Sequence, residues 1–250
     1  MSNNEFNIKS STVEKGLEIA KEFIGKLVGP SIEELGLFLS DNVKFLRYKN
    51  QIRILLKAKS YVEKRNISTK EIPIKILVPL LEQASLEENE ELQDKWAKMI
   101  TNLVDSKTNF QNQVFPYLLG QISLDEFNGL QEFRKSEKEF QYKKEILLEM
   151  EKKGNLNKSD EDIFKLKHDI KNAEQEGFWS SLKSYECSNL IRLGLIKELP
   201  PNIIVEKDPE DGDYLYAEYD PEAFGYRITE LGEMFIEVCQ VKDDVINKQI

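Results

Sequence analysis

Apolar residues recur every three or four positions along most of the chain, a spacing that predicts a mainly α protein. One such stripe is formed by Leu17, Ala20, Ile24 and Leu27, with charged residues on the opposite side. Gly29 and Pro30 interrupt that helix, and a longer one is predicted to follow. The helices predicted from this spacing cover residues 11–28, 31–65, 74–81, 85–103, 123–133, 178–193 and 229–239.

Short polar segments predict where several of these helices begin. Residues 85–88 and 123–126 both have the capping-box pattern, in which a serine precedes an acidic residue by three positions. Thr229 is predicted to cap the last helix. Pro73 is predicted to start a helix, and Pro79 marks either a kink or a second start, because proline is tolerated in a first helical turn.

The segment from about 131 to 176 has a different composition, since nearly half of its residues are charged and acids almost balance bases. Such a segment indicates solvent-exposed helices. Gly154 and Asn155 lie in its middle. We predict either two exposed helices in a hairpin or one helix followed by a mobile segment.

The C-terminal part alternates helix and strand. The helix predicted over 178–193 ends at Gly194, and short strands are predicted at 195–199 and 226–228 before the last helix. This order is typical of a winged-helix unit. We therefore predict an N-terminal helical domain over 1–115, followed by a winged-helix-like α+β domain over 116–250 that carries the charged helical insert.

Several blocks of the sequence resemble the abortive infection alpha family of bacterial phage-defence proteins. The blocks are GKLVGPSIEELGLFLSDNVKFLRYKNQIRILLKA, KEIPIKILVPLLEQASLEENEELQDKWAKMITNLVDS, VFPYLLGQISLDEFNGL and the closing LIRLGLI with YRITELGEMFIEVC. The order and spacing of these blocks agree with the family. Together the blocks cover most of the chain outside the charged insert. The resemblance implies a role in abortive infection, in which an infected bacterium stops growing or dies before it releases progeny phage. It supplies no catalytic residues.

Composition narrows the classes of function. The formal net charge of −10 over 250 residues disfavours binding of nucleic acid by the molecule as a whole, because phosphates would be repelled. The two cysteines, Cys187 and Cys239, are far apart, which fits a reducing compartment and excludes a disulfide framework. No run of about 18 apolar residues is present, so we expect a soluble cytoplasmic protein.

Residues suited to catalysis are scarce, and we expect a protein that is not an enzyme and binds no cofactor, metal or small-molecule substrate. The single histidine, His168, is interpreted as an exposed surface residue because Asp169, its neighbour in sequence, cannot orient it across a helix. No Gly-rich phosphate-binding motif occurs. A metal-dependent nuclease built from carboxylates remains an alternative, with acids at 87–94 and 208–213 as its candidates.

The most informative charge pattern is a basic amphipathic segment, residues 44–65, in which Glu63 is the only acid. Such a helix can bind anionic lipid, nucleic acid or an acidic partner, or its cations can pair internally with the acidic helix near Glu88. We predict that it contacts a protein partner, which a homo-oligomer would also provide, or the inner membrane surface. A winged-helix DNA-binding regulator is the other alternative, disfavoured by the acidic predicted wing. The candidate binding residues are Lys44, Arg47, Lys49, Arg53, Lys57, Lys59, Lys64 and Arg65.

Overall fold

The structure of the protein, a computed structural model, describes residues 10–28, 45–153, 160–178, 180–199, 203–207, 215–219 and 225–241. These residues are mainly helical, which confirms the predicted class. The helices are α1 (Ser10–Val28), α2 (Phe45–Lys64), α3 (Ile74–Ala84), α4 (Glu90–Val104), α5 (Val114–Leu119), α6 (Leu124–Lys153), α7 (Asp160–Glu176), α8 (Ser184–Arg192) and α9 (Glu230–Val238). The strands are β1 (Ile196–Glu198), β2 (Ile203–Lys207), β3 (Leu215–Tyr219) and β4 (Tyr226–Ile228).

The chain forms two compact units, one of residues 1–124 and 235–250 and the other of residues 125–234. The domain boundary predicted near residue 115 stays a prediction, and the last residues of the chain are grouped with the first unit. Hydrogen bonds hold these last residues to α4. The buried carboxamide of Asn102 donates to the backbone carbonyls of Val238, at 2.8 Å, and Gln240, at 2.7 Å. Phe235 and Cys239 are likewise fully buried.

The first unit is built on pairs of packed helices. Its core contains large side chains with almost no exposed surface, among them Leu77, Leu80, Trp96 and Leu103. The helix α2 packs against α1, α3 and α4, and α3 also packs against α5. Burial of apolar surface in these contacts is the main source of stability for such a unit.

The start of α4 differs from the prediction. The capping box predicted at Ser85 is wrong, because the N-cap is Asn89, whose side-chain oxygen accepts bonds from the amides of Glu91 and Leu92. Ser85 instead follows the end of α3, where its amide donates to the carbonyl of Leu81. The helix α3 begins directly after Pro73, as predicted, and continues through Pro79 without a second start.

The charged segment of the second unit forms two helices, as predicted in the first of the two alternatives. The long helix α6 and the helix α7 are joined by ion pairs from Lys143 to Asp169 and from Lys144 to Glu174, each at 2.8 Å. Phe140 and Ile170 are buried, whereas Phe164 of α7 is exposed. Residues 154–159, which include the predicted turn, lie outside the described residues.

The strands form two antiparallel pairs, β1 with β4 and β2 with β3, so that the second pair lies between the two strands of the first pair in the sequence. The predicted strands at 195–199 and 226–228 are confirmed as β1 and β4. The helix predicted over 178–193 begins only at Ser184, because Phe178 exchanges two backbone hydrogen bonds of 2.9 Å with Tyr226. The helix α9 begins after Thr229, whose Oγ1 accepts a bond from the amide of Gly232 at 3.0 Å. The winged-helix arrangement stays a prediction.

Candidate functional site

The basic segment predicted as the binding element forms α2, a helix embedded in the first unit. Its inner side consists of Ile54, Leu55 and Ala58, none of which exposes more than 1% of its surface. Its contact with α1 is close at Gly16, where an added Cβ would lie 3.5 Å from Ile52. The helix therefore forms because its apolar side is covered by neighbouring helices, and its cations occupy the remaining side.

The cations in the middle of α2 lie beside the N-terminus of α4. Arg53 Nη1 is 3.4 Å from a carboxylate oxygen of Glu90 and 3.4 Å from the side-chain oxygen of Gln93. Lys57 Nζ donates to the backbone carbonyl of Glu90 at 3.4 Å. Arg47 Nε donates to Ser85 Oγ at 3.1 Å. The alternative of internal pairing with the acidic helix thus describes Arg53 and Lys57.

The remaining predicted cations differ in their surroundings. Lys59 is within 3.5 Å of Glu63 in the same helix, and α1 supplies a second acid, Glu22, whose carboxyl pKa is lowered mainly by its hydrogen bond from Lys26, with a smaller contribution from Lys59. Lys64 is exposed, whereas Lys49 and Arg65 are half-buried. Lys44 lies outside the described residues. The structure therefore brings together the cations of one helix but places them in different environments.

A buried polar network joins α2 to α3 and α4, and the sequence interpretation missed it. Gln93, which is fully buried, donates to the side-chain oxygen of Asn50 at 3.2 Å and to the carbonyl of Glu87 at 2.8 Å. Asn50 donates to the carbonyl of Ser85, and Gln51 donates to that of Leu81. Buried amides that are hydrogen-bonded in this way fix one packing arrangement. The adjacent Asn50 and Gln51 on the inner side of a predicted helix are the signal that could have indicated it.

The carboxylate of Asp94 in α4 is bonded by two side chains, one from α2 and one from α4. Tyr61 donates a hydrogen bond of 2.5 Å to it, and Lys98 lies 2.9 Å from its other oxygen. Burial raises the pKa of the Asp94 carboxyl, but the bonds from Tyr61 and Lys98 outweigh burial and hold the pKa below its usual value. The carboxylate stays ionised and helps to hold α2 against α4.

This geometry bears on the two contacts predicted for α2. An amphipathic helix binds a membrane by inserting its apolar side, and in α2 that side lies in the core of the unit. Only the cationic side is available while the unit remains folded. Within the described ranges no helix is long and apolar enough to cross a membrane.

Residues suited to catalysis are not brought together in the part of the chain that the structure describes. There, no group of three His, Cys, Asp or Glu side chains is placed to hold a metal ion. His168 is exposed and lies 3.3 Å from the side chain of Asn172. Cys187 and Cys239 are free and buried, and burial raises the pKa of both thiols. The acids at 208–213 lie outside the described residues.

The helix α8, which belongs to the predicted winged-helix unit, carries few cations. Arg192 bonds to the side-chain oxygen of Asn189 through two nitrogens, at 3.1 and 2.7 Å. Glu186 is buried and accepts a bond of 2.7 Å from the amide of Lys183. Arg192 within α8 and Lys183 directly before it offer little attraction for a phosphate backbone.

Comparison with known proteins identifies the family. The sequence model of the family described as "Abortive infection alpha" matches residues 41–239, from before the start of α2 to the end of α9. No curated protein and no solved structure matches the chain. The match covers well over half of the chain and agrees with the resemblance found in the sequence. The chain therefore belongs to the abortive infection alpha family.

Proposed function

We propose that the protein protects bacteria from phage by abortive infection and that it acts through non-enzymatic contact with an acidic protein partner. The contact is made by the cationic side of α2. Membership of the abortive infection alpha family supports the defence role. The position of α2 supports the mode of action, because its apolar side is internal while its cationic side includes the exposed Lys64 and the half-buried Lys49 and Lys57.

An acidic protein surface suits this side of α2 better than a lipid bilayer does. Lipid association by a helix depends on buried apolar area together with electrostatic attraction, and α2 can offer only the second while it is packed in its unit. A protein partner can instead align carboxylates with individual cations. Charge complementarity of this kind chiefly increases the association rate and the specificity of binding.

Neutralising the three lysines tests the proposal, and the thermal stability of the variant checks its fold, because Lys57→Gln also changes the bond from Lys57 to the carbonyl of Glu90. The variant carries Lys49→Gln, Lys57→Gln and Lys64→Gln, and it leaves the bonds of Arg47 and Arg53 in place. A matched control neutralises three lysines elsewhere that are exposed: Lys75, Lys107 and Lys171. Both variants lose the same charge. Plaque formation is then compared among cells expressing wild type, variant, control or no protein.

We expect wild type and control to reduce plaque formation and the α2 variant to lose that protection while keeping its thermal stability. Protection by the α2 variant equal to that of wild type would contradict the proposed contact. Co-sedimentation with anionic vesicles separates the two partners. Binding of wild type that the α2 variant loses would favour the membrane surface over a protein.

A further inference from the structure

The long helix α6 carries a stripe of exposed side chains on its outer side. The stripe consists of Lys135, Lys138, Tyr142, Glu145 and Glu149, all exposed, with Tyr142 leaving 64% of its surface free. Their spacing of three and four residues places them on one side of the helix. The inner side is occupied separately, by the buried Phe140 and Met150 and by the ion pairs to α7.

The order of charges along this outer stripe is unusual for a solitary helix. Two lysines lie on the N-terminal side of Tyr142 and two glutamates on its C-terminal side. Each pair has the three- or four-residue spacing at which like charges repel in an isolated helix. Glu139, which lies beside the stripe, forms an ion pair with Lys135 in the same helix, with 3.8 Å between the lysine nitrogen and a carboxylate oxygen.

The same order is complementary to itself when two copies run in opposite directions. If the two-fold axis passes between the two Tyr142 side chains, Lys135 falls opposite Glu149 of the second copy, and Lys138 lies one residue from the position opposite Glu145. The paired region spans about 21 Å of helix, at 1.5 Å for each residue. An isologous contact of this kind uses the same surface on both copies, as in most symmetric dimers.

We propose that α6 is a self-association surface on which a second copy of this chain docks antiparallel. The two Tyr142 rings meet at the centre, where an aromatic pair has a preferred stacked or edge-to-face geometry. The four interhelical ion pairs around them select the partner and its direction. Among possible occupants a second copy is favoured, because the stripe is cationic on one side of Tyr142 and acidic on the other, and so matches its own reverse.

The dimer is expected to be weak and sensitive to salt. Exposed ion pairs each contribute little, and salt screens them over a Debye length of about 10 Å at 0.1 M. A dissociation constant of the order of 100 µM is expected at low ionic strength, with a clear loss of dimer at about 0.5 M salt. Sedimentation equilibrium of the full chain measures both.

Two charge-swap variants test the pairing directly. One carries Lys135→Glu and Lys138→Glu, and the other carries Glu145→Lys and Glu149→Lys. Each alone places like charges opposite each other in a dimer of itself. An equimolar mixture places opposite charges at all four positions. The control variant, Lys165→Glu with Lys171→Glu, changes the charge of the neighbouring helix α7 at exposed positions by the same amount.

We expect each charge-swap variant to weaken dimerisation by at least about tenfold, the mixture to restore it, and the control to leave it unchanged. Tyr142→Arg, which puts two like charges at the axis, should also abolish the dimer. Circular dichroism checks the fold of every variant. A wild-type chain that stays monomeric up to about 1 mM overturns the proposal. So does a dimer that resists both variants, or one that the mixture fails to restore.

Discussion

Substitution of Asn102 should destabilise the first unit by a predictable amount. Asn102 lies in α4, and its buried side-chain nitrogen donates to the carbonyls of Val238 and Gln240 at 2.8 and 2.7 Å. Replacement by alanine removes both bonds and leaves two carbonyls at the end of α9 without that partner. At about 1 to 1.5 kcal/mol for each bond, Asn102→Ala should lower the free energy of unfolding by about 2 to 3 kcal/mol. Asn102→Asp should cost more, because it sets an acceptor against two acceptors.

Urea unfolding can report this unit separately. The chain has two tryptophans, and in a Trp179→Phe background the remaining one, Trp96, is buried in the core of the first unit. With a slope of about 2 kcal/mol per molar urea, Asn102→Ala should shift the midpoint of that fluorescence transition down by about 1 M. A shift below about 0.3 M would show that these bonds contribute little, and the reasoning would be refuted.

Three further predictions concern the second unit. Thr229→Ala should cost about 1 kcal/mol, because Thr229 caps α9, and Thr229→Ser should cost less; urea unfolding measures both. Glu137→Gln should cost about 2 kcal/mol at neutral pH, since Arg227 bonds both carboxylate oxygens, at 2.6 and 2.7 Å. Burial raises the pKa of Glu137, but the bonds from Arg227 and Gln141 hold it below its usual 4.5, so this stabilisation is present above that pH and lost as pH falls further. Unfolding free energies of wild type and variant should therefore converge in acid. Conversion of three acids near residue 210 to asparagine should leave plaque counts unchanged, and lost protection with intact folding would favour a nuclease. Those acids are Asp208, Asp211 and Asp213.

Local sequence predicted those parts of the fold that local interactions determine. The start of α9 after Thr229 was predictable because the threonine hydroxyl accepts a hydrogen bond from the backbone amide three residues further along the chain. The prediction for the start of α4 was wrong because Ser85 and Asn89, four positions apart, are both residue types that can cap a helix. Ser85 is held by the end of α3, so the cap passes to Asn89. Which of two candidate caps is used depends on where the preceding helix ends.

Contacts between distant residues explain the other differences. The helix α8 begins later than predicted because Phe178 forms backbone hydrogen bonds with Tyr226. Tyr226 lies far along the chain, and the local sequence around either residue does not indicate this pairing. The sequence offered pairing with the acidic helix near Glu88 as one alternative for the basic helix, but for the same reason it could not identify the groups in contact. Its cations were evident from spacing, but the carbonyl and carboxylate of Glu90 that face Arg53 and Lys57 come from another helix. A pattern of charges indicates a candidate surface without revealing what covers it.

The position of α2 also changes how its predicted function is tested. Reversing Arg53 to an acid would remove its bonds to Glu90 and to the buried Gln93 and would place two carboxylates near each other at the start of α4. Loss of function in such a variant would be ambiguous. Neutralising Lys49, Lys57 and Lys64 keeps the pair formed by Arg53 and Glu90, and thermal unfolding measures the effect of changing the bond from Lys57 to the carbonyl of Glu90.

Survival and phage yield at high multiplicity of infection provide the most direct test of the central claim. In cells that express the wild-type protein, we predict that most infected cells die or stop growing and that few progeny phage are released. The control with Lys75, Lys107 and Lys171 neutralised should behave in the same way, whereas the α2 variant should release phage as unprotected cells do. Infected wild-type cells that survive and grow, or an α2 variant that still blocks progeny release, would contradict the account.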